Sequence, residues 1–94
     1  MKEMWELQKK MQELKRELEN TDFEVSSSDG SLKIVMNAAQ EIKEVVIKDE
    51  LEKLDKALFE KVIKDVCNRG IKRAQDLAAQ NLKSISGLNL PGLT

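Results

Sequence analysis

The sequence predicts an α+β protein: a helix, a three-stranded antiparallel meander and a second, longer helix. Three observations carry this expectation. Near the start, apolar residues recur at spacings of three and four, the seam of a helix that faces another helix. In the middle, apolar and polar residues alternate on either side of an Asp-Gly pair, as paired strands do. Toward the end the helical period returns with a broader apolar arc. The chain has 94 residues and is read as one small domain, 1–94. A domain of this size hides only ~60–65% of its unfolded surface, so a partner subunit is a natural further source of burial.

Residues 1–20 form the first predicted helix. Met4, Leu7, Met11, Leu14 and Leu18 make its seam, and these five are the candidate dimer-interface residues. Good helix formers fill the remaining positions, and Asn20-Thr21-Asp22 ends the run. On a period of seven, Lys2, Lys9 and Arg16 lie opposite the seam, with Lys10 and Lys15 to either side. Spacing alone favours reading that stripe as a solvated face with Glu6–Lys10 and Glu13–Arg16 pairs.

The predicted sheet covers residues 22–48. Phe23 and Val25 alternate with Glu24 and Ser26 in a half-buried strand. Asp29-Gly30 then suits a two-residue hairpin turn, since its backbone readily takes positive φ. Leu32, Ile34 and Met36 mark the return strand, and Asn37 to Glu41 makes a looser connection. The β-branched run Ile42 to Lys48 is the third strand. The apolar face of this meander needs a cover, and helices are the elements left to provide it.

Asp55 is a candidate N-cap for the second helix, residues 55–83. Phe59, Ile63, Val66, Cys67, Ala74, Leu77 and Ala78 share its apolar arc, flanked by Val62 and Ile71. That arc is wide enough to cover the sheet and meet a second partner. Gly70 sits on the same arc, which points to close approach of another backbone or to a kink. Residues 84–94, with Pro91 and Gly92, are expected to be an irregular tail.

Composition excludes most chemistry. There is no His, so imidazole ligation and the usual neutral-pH general base are absent. The single Cys67 falls on an apolar arc, where a buried, inert thiol is expected, and the glycines form no phosphate-cradling loop. Neither a cofactor nor a small-molecule substrate nor an enzymatic activity is expected. No apolar run approaches the ~20 residues that span a bilayer, so no membrane partner is expected and a cytoplasmic location is.

The formal net charge of −1 gives no global pull toward nucleic acid. Any such pull must come from local clustering, and the cluster on the second helix reads evenly as a phosphate-binding set or as a solvated helix face. Lys61, Lys64, Arg69, Lys72 and Arg73 stand against the single acid Asp65 in under four helical turns. The helix dipole accounts for the direction of this gradient, acids early and bases late, but not for its density.

Taken in order, several stretches resemble the YbaB/EbfC family of bacterial nucleoid-associated proteins. They are the Met/Gln/Leu-rich opening from Trp5 to Leu14, the turn and strand from Asp29 to Ala38, and Val45 to Asp49. Leu58 to Ile63, Asn68 to Ala74 and the closing Gly87 to Leu93 complete the likeness. Asn37-Ala38 stands where the family commonly has a glycine. The resemblance implies an α-β-β-β-α homodimer with projecting helices, a nucleoid location, and binding to double-stranded DNA with loose sequence preference. The basic positions that match are Lys9, Lys10, Lys15 and Arg16 on the first helix. On the second they are Lys61, Lys64, Arg69, Lys72 and Arg73. A prefoldin-like chaperone or assembly adaptor, gripping a protein client, is the other reading the elements allow.

Overall fold

Helix α1 spans Lys2–Glu19, strands β1, β2 and β3 span Asp22–Ser26, Leu32–Asn37 and Ile42–Ile47, and helix α2 spans Lys56–Ser86. The computed structural model describes residues 2–48, 50 and 53–86, with side chains as far as Lys83. The strands form an antiparallel meander in the order β1-β2-β3.

Pairing Phe23 with Met36 and Val25 with Ile34 places the alternating apolar residues of β1 and β2 on one face. Helix α2 lies across that face. Ile34, Met36 and Val66 are almost fully enclosed, with Val25 and Leu32 beside them and Phe23, Phe59 and Val62 around the edge. Strict alternation in β3 would put Lys43 on the same face as Val45. A bulge between Val35 and Met36 corrects this by pairing Met36 with Ile42. Lys43 instead bonds Asp22 at 3.0 Å across the polar face.

Gly70 is buried because side chains of β2, rather than another backbone, press against it. A Cβ at this position would collide with Met36 Sδ and sit 3.3 Å from Ile34 Cδ1. Asp55 caps α2 as expected, its Oδ1 accepting from the amide of Leu58 at 3.2 Å.

Both turns depart from the sequence reading. The first is not a two-residue turn: Ser27 N–H bonds Leu32 C=O at 2.8 Å, leaving Ser28–Ser31 as the loop. Only Gly30 takes positive φ there, at 79°. The carboxylate of Asp29 directs the loop by accepting from Ser27 Oγ at 2.6 Å, Ser31 Oγ at 2.8 Å and Ser31 N at 3.0 Å. The second turn is tight, closed by Asn37 N–H on Glu41 C=O at 3.0 Å, with Gln40 at φ 64°.

Asn37 also anchors α1. Its Nδ2 donates to Glu19 C=O at 3.2 Å, while its Oδ1 accepts from Ala39 N and Glu41 N at 3.0 Å. Ala38 N reaches Leu18 C=O at 3.1 Å and Thr21 Oγ1 donates to Glu17 C=O at 2.7 Å, so the carbonyls a helix end normally leaves open are satisfied.

Two further corrections concern extent and cover. Helix α2 continues three residues beyond Lys83 into the tail expected at 84–94, because neither Ser84, Ile85 nor Ser86 breaks a helix; the rest of that tail, 87–94, lies outside the described residues. The cover is also incomplete. Ile42, Val45 and Ile47 of β3 are 52, 56 and 41% exposed. The molecule is long, 60 × 24 × 16 Å with a radius of gyration of 17.4 Å, against ~12 Å for a compact chain of this length.

Candidate nucleic-acid interface

On α2 the buried face runs through Val66, Gly70 and Ala74. At ~100° per residue, Lys61 and Lys72 fall within about 20° of each other on the side away from it, and Lys64 lies about 60° off. All three are exposed. Arg69 and Arg73 lie instead between that outer side and the β1 side of the helix, also exposed.

Arg69 is already engaged. Its Nη2 donates to Ser26 C=O at 2.9 Å and its Nε pairs with Asp65 at 3.0 Å. It ties α2 to the end of β1, a role the sequence gives no means to read. It also occupies the lone acid of the cluster. Among the described residues the other ion pairs are Lys33–Glu24, Lys43–Asp22 and Lys53–Glu50. The first two engage both lysines of the strands, and the cationic surplus lies on α2, with seven basic residues against three acids, whereas α1 carries five of each.

Along α1, Lys9, Lys10, Lys15 and Arg16 are all exposed. Lys9 and Arg16 share the side opposite the seam, whereas Lys10 and Lys15 flank the seam. The expected α1 and α2 sites are thus separate strips on two elements. Within the chain the seam is only partly covered. Met4, Leu7 and Met11 are 65, 60 and 54% exposed, while Leu14 and Leu18, nearer the body, are half-buried.

Two features escaped the sequence reading. One is an open apolar groove of about 130 Å³ between β3 and α2, lined by Ile42, Val45, Ile47, Ile63 and Cys67, in which Cys67 is half-buried rather than buried. The excess width of the α2 arc was its signal. The other is Trp5, 66% exposed, with Lys9 Nζ 5.8 Å from its ring centre. Its spacing of four from Lys9 puts it in phase with the basic stripe. Among the described residues no helix is long and apolar enough to cross a membrane.

Similar proteins agree with this architecture. A nucleoid-associated protein of Clostridium kluyveri is 32% identical over 99% of this chain and 83% of its own length. One from Dictyoglomus thermophilum is 37% identical over 97% of this chain and 89% of its own. The crystal structure of an uncharacterized protein from Helicobacter pylori superposes with a TM-score of 0.71 at 20% identity, covering 89% of this chain and 85% of that one, and shows the same fold. The model of one family, a family of DNA-binding proteins and not of enzymes, matches residues 1–88, and the chain belongs to it: the YbaB/EbfC DNA-binding family.

Proposed function

We propose that this protein is a nucleoid-associated protein that binds double-stranded DNA as a homodimer, mainly through phosphate contacts and with loose sequence preference. Its place is the nucleoid of the cytoplasm, where such binding alters DNA organisation and gene expression. The observation that carries the reading is the set Lys61, Lys64, Lys72 and Arg73, exposed on α2 beside an acid that Arg69 already occupies. Phosphate neutralisation needs such cations and no base-specific geometry. Lys9, Lys10, Lys15 and Arg16 extend the charge along α1. A second copy doubles both strips along a polyanion. It also covers apolar surface the single chain leaves in water, the seam of Met4, Leu7, Met11, Leu14 and Leu18 and the groove beside β3.

The test is a mobility-shift titration of duplex DNA at several salt concentrations. The parent should bind at low salt, and log affinity should fall linearly with log salt, by ~0.9 per phosphate contact. Lys72→Glu with Arg73→Glu should weaken binding at least tenfold while the helical circular-dichroism signal is retained. A double variant that binds like the parent overturns the assignment of these residues.

A further inference from the structure

Trp5 is the chain's one tryptophan. No residue of α1 is buried, and Trp5 is 66% exposed. It does not belong to the apolar seam. At ~100° per residue it lies well over 90° from the seam's centre, between Gln12 and Lys9 on the same side as Lys2 and Arg16. Lys2, Trp5, Lys9, Gln12 and Arg16 therefore climb one face of α1 at steps of three and four, over about 21 Å. Glu6 and Glu13 border this ladder along one edge. A shallow cavity of about 230 Å³ opens between Trp5, Gln8, Lys9 and Gln12.

Such a face has the parts that recognise an unpaired nucleobase. An exposed indole offers a stacking plane, Lys9 beside it can take the adjoining phosphate, and two glutamine amides can meet the base edge. An intact duplex uses none of this well, because its bases already stack on one another. We propose, building on the DNA-binding reading, that the α1 ladder is a site for unpaired bases. The protein then prefers DNA containing a gap or bubble to uninterrupted duplex, through stacking on Trp5. Stacking of one base corresponds to roughly tenfold in affinity.

The single tryptophan also makes the test direct, since all indole emission comes from this position. The full chain is titrated with a short duplex, with the same duplex carrying a few unpaired thymines, and with heparin, a polyanion without bases. Gapped DNA is expected to quench the emission and to bind about tenfold more tightly than intact duplex, while heparin leaves the emission unquenched. Trp5→Ala should bring the gapped-to-intact affinity ratio to about one, and Trp5→Phe should restore part of it. Equal affinities in the parent, or an unchanged ratio in Trp5→Ala, overturn the preference and leave duplex binding standing. A parent that retains no DNA at all in dilute buffer overturns the DNA-binding reading and this inference together.

Discussion

Asp29 accepts three hydrogen bonds through one carboxylate oxygen, and they hold its pKa at about 2 against an ordinary 3.8. The hydroxyl of Ser27 contributes most, followed by the amide and the hydroxyl of Ser31. A depressed carboxylate pKa stabilises the fold above its unfolded value, and that contribution disappears as pH falls from near 4 through 2. In thermal melts the parent should therefore exceed Asp29→Asn in Tm at pH 5, with the gap closing toward pH 2. A gap that stays constant would mean that the charge of Asp29 is irrelevant to the loop. Gln40 poses the opposite case, a non-glycine residue held at φ 64°. Relieving that backbone cost with Gln40→Gly should raise stability by about 1 kcal/mol, read from denaturant melts. Neither effect was legible in the sequence. Asp-Gly and Asn-Ala-Ala-Gln mark turns, but only the completed hydrogen bonds of Asp29 and Asn37 say which turns they are.

The elements themselves were legible, because hydrophobic period is a one-dimensional signal. The spacing of Met4 to Leu18 and the alternation of Phe23 to Met36 place α1, β1 and β2 to within a residue or two. What spacing cannot supply is the width of one element set against another. Strands lie ~4.8 Å apart and a helix with its side chains is about 10 Å across, so one helix roofs about two strands. Helix α2 takes β1 and β2, and the apolar side of β3 is left over. The contact α2 does make is close at Gly70, where Met36 and Ile34 fill the space a side chain would need. Gly70→Ala gains about 1 kcal/mol of helix propensity but overpacks the core at a cost of ~1–3 kcal/mol. The expected net is a loss of about 1 kcal/mol, visible as a lower denaturant midpoint with unchanged slope. The exposure of the basic side chains on the candidate site was legible in the same way, but the engagement of Arg69 was not, because its bond to Ser26 joins residues far apart in the chain.

At the scale of the molecule, Met4, Leu7 and Met11 on α1 and Ile42, Val45 and Ile47 on β3 leave two exposed apolar surfaces, the kind that marks an interaction site. Sedimentation at micromolar concentration should give a dimer. Val45→Asp, a change at a side chain 56% exposed in the single chain, should shift it toward monomer with little loss of helicity. Met11→Glu should weaken the dimer if the seam contributes to it, and a dimer indifferent to both substitutions would remove these surfaces from the assembly.

The bonds from Asn37, Ala38 and Thr21 clamp α1 at its C-terminal end, where Leu14 and Leu18 are half-buried, while every side chain from Lys2 to Glu13 is exposed. Mechanically the exposed stretch from Lys2 to Glu13 is an arm about 17 Å long. A tilt of about 10° at its base sweeps the tip by about 3 Å, while every backbone bond inside the arm stays intact. Trp5 and Lys9, carried near that tip, can thus follow an uneven surface by rigid rotation rather than by unfolding.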